Sequence, residues 1–414
     1  MKHIFTLFAS FLATLLMLMS EAHAQSGWSP KTSGTTNILY GVSFTDANTG
    51  TAVGQSGTIL RTTDGGTTWI AQASGTLHFL LGVFFTDANT GTAVGDFGTI
   101  LRTTDGGTHW STQTSGTPNM LRGVSFIDAK TGTAVGLRGV ILRTVNGGTN
   151  WVAQASGTTD DLYGVSFTEA NNGTAVGGVL TGIILRTTNG GTNWTAQTSG
   201  TVNELVSVSF ADSKTGTVVG LAGIILHTVN GGTNWAAQSS GTTEDLYCVS
   251  FTNASIGTAA GQAGTILRTT NGGANWTAQT SGTTNFLLSV SFTDARTRTA
   301  VGAGGTILRT TTGGLASVEE DPPAGLPLHF WLSQNYPNPF NPSTTIRFAL
   351  PYTSFVTLSV CNTLGQQVAV LVNEQLQAGY HEVVFHSDGL ASGVYFYQLQ
   401  AGLFMQTREL LLLR

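Results

Sequence analysis

Charged side chains make up only 9% of the 414 residues, against about 25% in an average soluble domain. Lys and Arg total 17 and Asp and Glu 22, giving a net charge of −5. With no basic run in the chain, the electrostatic footprint of a nucleic-acid binder is missing. Two cysteines are too few for a disulfide framework. The eight histidines form no metal-spaced pair within the repeats described below, and no GxSxG, Walker A or dinucleotide fingerprint stands out. The chain is therefore expected to hold no cofactor or metal and to have no catalytic residues.

Long apolar runs are also scarce. Ile4–Met19 is one, preceded by Lys2 and followed by Ala22-His23-Ala24, an A-x-A cleavage pattern. At roughly 16 residues the run is shorter than the ~20 needed to span a bilayer as a helix. Residues 1–24 read as a cleaved secretory leader, with Gln25 as the mature start. No transmembrane segment is expected in the mature chain.

Glycine, by contrast, is abundant, at 54 residues. It punctuates a repeat whose period the tryptophans set. Trp28, Trp69, Trp110 and Trp151 recur every 41 residues, Trp194 follows after 43, and Trp235 and Trp276 resume the 41-residue step. Short β-rich units of that length are a propeller signature. In the first copy the expected strands are Leu39–Phe44, Thr51–Gly54, Thr58–Thr62 and Thr68–Ala73, separated by Gly-containing turns. The inner-strand valines (Val42 to Val290) and third-strand leucines (Leu60 to Leu308) each number seven. The tryptophans start one strand early and end one strand short. Trp28–Lys31 should therefore supply the outer strand of the last blade, closing the ring with strands from both ends. The expected fold is all-β: a seven-bladed propeller over residues 25–316, then a linker over 317–330. Six short strands between Ile346 and Leu412 suggest a small Ig-like β-sandwich over residues 331–414.

Thr62–Trp69 (TTDGGTTW) matches the Asp-box pattern S/T-x-D-x-G-x-T-W, and the whole unit resembles the repeat of the photosystem II assembly/stability factor family. The box residues are Asp64 and Trp69, Asp105 and Trp110, then Asn146 and Trp151, Asn189 and Trp194, Asn230 and Trp235, and Asn271 and Trp276. Asn and Asp both cap tight turns, and presence in every blade points to a structural role. The C-terminal blocks NYPNPFNPSTTI, LGQ-x-V and L-x-SGVYFY-x-L resemble the type A sorting domain of type IX secretion. That resemblance implies a partner in the type IX machinery acting through residues 331–414. It also implies passage across both membranes to the outer surface or the medium.

Asp-boxes also occur in sialidases, so a secreted glycoside-active enzyme is an alternative. Tyr40, Tyr163 and Tyr247 hold one equivalent inner-strand position, however, and read as packing rather than as a nucleophile. One Arg per blade (Arg61 to Arg309, with His227 in the fifth) and one acid per first loop (Asp46 to Asp294, with Asn253 in the sixth) suggest Arg–carboxylate pairs holding one end of the ring. An anion-binding arginine patch is the other reading. A second alternative is an assembly factor for a membrane complex.

The copies differ most just before each inner strand. There the residues are Ile38, Phe79, Met120, Asp161, Glu204, Asp245 and Phe286, with Asp160 and Glu244 adding charge. The rim is apolar in four blades and acidic in three, and such a surface can mark a binding face. These nine residues are the candidate binding site for an extracellular protein or glycan, and no nucleic-acid partner is expected.

Overall fold

The computed structural model describes residues 27–314, 327, 330–402 and 404–413. The leader and nearly all of the linker lie outside the described residues. The chain divides into two compact units, one up to residue 317 and one from 318 onward.

The first unit consists of seven four-stranded antiparallel sheets. Blades 1 to 7 begin with the inner strands Leu39–Phe44, Leu80–Phe85, Leu121–Phe126, Leu162–Phe167, Leu205–Phe210, Leu246–Phe251 and Leu287–Phe292. Each inner strand touches the next, and blade 7 touches blade 1, so the sheets form a closed propeller. In blade 1 the remaining strands are Gly50–Gly54, Ile59–Thr62 and Ile70–Gln72. The outer strand is shorter than the sequence suggests because Thr67 and Thr68 are absorbed in the Asp-box turn.

Blade 7 is composite. Its fourth strand, Gly27–Lys31, pairs with Ile307–Gly314 in the register Ser29↔Arg309, Pro30↔Leu308 and Lys31↔Ile307. Pro tolerates this place because an outer edge strand can forgo a ladder hydrogen bond. Trp28 is buried to 1% exposure.

The apolar core is not one mass but a series of wedges between neighbouring blades. Val53 and Ile59 of blade 1, for example, pack with Leu80, Val83, Phe85, Ala93 and Leu101 of blade 2. Alternation explains this: each strand presents successive side chains to opposite faces of its sheet, and both faces of a blade meet a neighbour. The inner serines add polar stitches, as when Phe85 N donates to Ser43 Oγ at 3.1 Å.

Within each complete Asp-box blade the inner-strand Phe meets the Trp edge-on, as Phe44 meets Trp69 at 5.9 Å and 84°. That Phe demands a glycine opposite, since a Cβ on Gly50 would fall 2.5 Å from the Phe44 ring. Blade 7 departs from this rule with Arg298, whose guanidinium lies 4.7 Å over Phe292.

The second unit holds a three-stranded sheet, Trp331–Leu332, Ser343–Leu350 and Gly379–His386. Facing it is a four-stranded one, ordered Gln367–Leu376, Ser354–Asn362, Gly393–Ala401 and Phe404–Leu412. The strands run longer than the sequence patterns suggest, and the two-residue strand Trp331–Leu332 lies ahead of the six expected. Leu332, Phe348, Val356, Leu358, Tyr397 and Leu399 fill the interior, all fully buried. The Tyr397 hydroxyl donates to Ser333 O at 2.6 Å and accepts from Asn335 N at 2.8 Å. Burial pushes its pKa up to about 12.

Candidate functional site

The Asp-box end of the propeller is built from turns. Thr62 Oγ1 donates to Asp64 Oδ1 at 2.8 Å and accepts from Gly66 N at 2.8 Å. Asp64 accepts from Thr68 N at 2.9 Å and from Thr68 Oγ1 at 2.6 Å. These bonds, led by the Thr68 hydroxyl, hold the Asp64 carboxyl down to about 2. Asn146 does the same with one oxygen, accepting from Asn150 N at 3.0 Å. Gly65 and Gly66 sit at φ of 71° and 80°, in the left-handed region that favours glycine.

The tryptophans close the seams between blades. Trp110 Nε1 donates to Gln72 Oε1 of the preceding blade at 3.3 Å, and Gln72 Nε2 donates back to Gly106 O at 3.0 Å. The same Trp–Gln bond joins Trp151 to Gln113, Trp194 to Gln154 and Trp276 to Gln238. Trp28 reaches Gln279 at 3.1 Å. Two seams differ. Trp235 Nε1 is buried without a partner although Gln197 holds the matching position. Trp69 Nε1 is likewise orphaned, and here Lys31 occupies the Gln position, paired with Ile307 as Gln72 is with Ile59.

The expected Arg–carboxylate ring is not what holds this end. Arg102 donates to Thr92 Oγ1 at 2.7 Å and to Ala129 O of the next blade at 2.6 Å, and lies 5.1 Å over the Phe126 ring. Asp46 instead caps its own turn through Asn48 N and Thr49 N at 2.7 and 2.9 Å. Arg61, Arg102, Arg143, Arg186 and Arg309 bond to carbonyls and ring faces because these lie one blade on, where the guanidinium fork reaches; ahead of Arg268 the matching carbonyl and ring, Ala295 O and Phe292, are taken by Arg298. The acids turn inward to unpaired amides. Burial lowers the pKa of Arg102. The side chain is spent on the fold, which removes the anion-patch reading at these positions.

The opposite end carries the rim. Seven of the nine candidate residues directly precede an inner strand, and Asp160 and Glu244 stand one residue earlier. Asp161 Oδ1 accepts from Arg138 N at 2.9 Å, and Asp245 Oδ1 from Ala222 N at 2.8 Å. Arg138 and Ala222 are left-handed, with φ of 58° and 52°, so these two carboxylates stabilise strained turns. Asp160 engages Thr158 at 3.1 Å, and Glu244 N donates to Thr242 Oγ1 at 3.0 Å. Ile38, Phe79 and Met120 are half-buried, while Phe286 is exposed and meets Tyr247 at 6.1 Å. Glu204 has its pKa raised, first by burial and then by Asp161 and Asp245. The three acidic blades thus crowd their carboxylates together.

Two side chains here escaped the sequence reading. Arg122 alone brings a charge to the second position of an inner strand, where other blades have Tyr, Leu or Val. It lies 5.0 Å over the Tyr163 ring and acts electrostatically on Tyr40, Asp96 and Glu204. Asp96 has a buried Oδ1 with no hydrogen-bond partner, and burial raises its pKa. The signal was available: each breaks the repeat at its own position. Beside Asp96, His78 and Phe97 meet at 4.9 Å and Tyr40 stacks with Phe79 at 6.2 Å. The mouth combines an aromatic sector, a lone arginine and a carboxylate sector. It can hold a partner by stacking and by charge.

Cys248 lies buried in an inner strand, its thiol pushed up to about 12 by burial. Among the described residues no three His, Cys, Asp or Glu side chains gather to hold a metal ion, and no helix is long and apolar enough to cross a membrane.

Comparison with known proteins agrees with this architecture. Residues 71–154 and 150–319 match the family described as photosynthesis system II assembly factor YCF48. Residues 334–412 match the secretion system C-terminal sorting domain. No curated protein matches the chain. Among solved structures, YCF48 from Cyanidioschyzon merolae is 24% identical, with a TM-score of 0.59, over 68% of this chain and 98% of that one. A structure of YCF48 bound to D1 peptide is 22% identical, with a TM-score of 0.60, over 71% of this chain and all of that one. PorZ, an essential surface component of the type-IX secretion system of Porphyromonas gingivalis, is 12% identical at a TM-score of 0.53. That match covers 91% of this chain and 60% of PorZ. With its repeats matched over more than half of its length, the chain belongs to the photosynthesis system II assembly factor YCF48 family and ends in a secretion-system sorting domain.

Proposed function

We propose that this protein is an exported, non-catalytic binding module whose partner sits at the rim of the propeller mouth. In this reading residues 1–24 are a leader, 25–316 the propeller, 317–330 a linker and 331–414 the tail that engages the type IX machinery. One observation carries the proposal. The Asp-box end repeats the same turn chemistry around the ring, whereas the mouth breaks the repeat with Arg122, Asp96 and the Asp161–Glu204–Asp245 sector. Selection for folding alone asks for the same residue in every blade; a site asks for singular ones.

A protein segment is the favoured ligand over a glycan, because a solved YCF48 structure holds a peptide. Photosystem assembly is not the favoured role, because a sorting tail supports export away from a photosynthetic membrane. The test is capture from surface extract by the mature chain and by a triple variant, Asp161→Asn, Glu204→Gln, Asp245→Asn. Asn keeps the oxygen that caps Arg138 N and Ala222 N, so the fold should survive. The expected result is a protein partner retained by the first and lost by the second at an unchanged melting temperature. Equal retention would move the site off this sector, and sugar release from extract polysaccharide would instead favour a glycosidase.

A further inference from the structure

Blade 2 carries two consecutive residues that its own turn does not require. The turn after its second strand is Asp96-Phe97-Gly98. Backbone groups make this turn: Asp96 N donates to Phe79 O at 2.9 Å, as Gln55 N does to Ile38 O in blade 1. Gln, Leu or Ala makes the same bond in five other blades, so the turn has no need of a charge. The next position is left-handed, with φ of 53° at Phe97, and other blades place Ser, Arg, Ala or Gly there. A bulky side chain is disfavoured in that conformation, yet Phe97 holds it with 71% of its surface exposed.

The Asp96 carboxylate stands among rings. His78 meets Phe97 at 4.9 Å, and Phe79, whose carbonyl takes the Asp96 amide, stacks with Tyr40 at 6.2 Å. Asp96 Oδ1 is buried without a hydrogen-bond partner, and among the described residues no cation forms an ion pair with this carboxylate. His78 and Arg122 act on it only through space. An unpaired carboxylate beside aromatic faces suits an organic cation, whose charge meets the oxygens while its apolar stem lies on the rings.

The charge of the whole mouth selects the same sign. Its rim carries six carboxylates, Asp96, Asp160, Asp161, Glu204, Glu244 and Asp245, against the arginines Arg122 and Arg138. An anionic partner would meet that excess, and would find the Arg122 guanidinium already laid over Tyr163. Like charges disfavour it, and a basic partner is steered in.

We propose that the blade 2 corner of the mouth holds a basic side chain of a bound protein segment, its cation on Asp96 and its stem against Phe79 and Phe97. This rests on the peptide-binding reading above and names the chemistry of the segment.

The test pans a displayed library of random short peptides on the immobilised mature chain, then measures the winners by fluorescence anisotropy. Lys or Arg should be enriched among them, and changing that residue to Gln should weaken binding about tenfold. Asp96→Asn, which keeps the backbone turn, should cost as much. Phe97→Gly suits the left-handed backbone, so it should weaken binding about two- to fivefold at an unchanged or higher melting temperature. Arg122→Gln removes a repelling cation and should tighten binding. Winners without basic residues, or basic winners that bind Asp96→Asn as well as wild type, would overturn this assignment and leave the peptide reading standing. Acidic winners lost with Arg122→Gln would overturn it in favour of the arginine. No peptide enriched over bare matrix would overturn the peptide reading itself, and this inference with it.

Discussion

Lys31→Gln should stabilise the propeller. Lys31 occupies the register position that Gln72 holds in blade 1, and Trp69 Nε1 opposite is buried without a partner. A glutamine there can accept from Trp69 and donate to Gly65 O, as Gln72 does with Trp110 and Gly106 at 3.3 and 3.0 Å. Each neutral hydrogen bond is worth about 0.5–1.5 kcal/mol net. Lys and Gln lose comparable rotamer freedom on ordering, so the entropy terms nearly cancel. The gain is about 1–3 kcal/mol. At about 2–4 °C per kcal/mol for a domain of this size class, the propeller melting transition should rise by at least about 2 °C in calorimetry. Gln113→Ala is the mirror experiment. It strips Trp151 Nε1 and Gly147 O of their partners and should cost about 1–3 kcal/mol. No rise for the first variant, or no loss for the second, would refute the view that these Trp–Gln bonds hold the seams.

Three further outcomes follow from the same geometry. Asp64 and Asp105 are held at about 2, below the ordinary 3.8; a lowered folded value stabilises above the ordinary pKa and is lost as pH falls through the folded one. Asp64→Asn with Asp105→Asn should therefore flatten the acid limb of stability between about pH 4 and 2, read by denaturation midpoints across that range. Arg298→Gly restores the repeat residue but leaves Gly313 O without its arginine donor. It should destabilise blade 7 by about 1.5–3 kcal/mol, measured as faster hydrogen exchange at 307–314. Cys248, with its thiol pushed up to about 12 and buried, should resist alkylation at pH 8 in the folded chain and react once unfolded, by mass spectrometry.

Periodicity made the propeller legible because each blade solves one local problem with the same residues. Trp spacing, the glycine facing Phe44 and the Asp-box turn all follow from contacts within one blade or to its neighbour. The split last blade was legible for the same reason, since Trp28 had no partner in its own copy. The rim was legible as variation. Its chemistry was not: Asp161 and Asp245 each spend one oxygen on a neighbouring blade's turn, and that bond spans 23 residues.

What the sequence by itself determined is the set of local devices and their number. The tertiary structure decided how they meet. Arg102 and Asp87 looked like partners because arginine and acid each recur at a fixed position in six of the seven blades, yet the fold turns the acid onto its own turn's amides and sends the arginine to Ala129 O. Arg122 looked like an ordinary strand residue until ring closure brought Tyr163, Asp96 and Glu204 around it. Local periodicity constrains strands, whose partners lie a few residues away. The electrostatics of the mouth arise between blades far apart in the chain, and only closing the ring sets those distances.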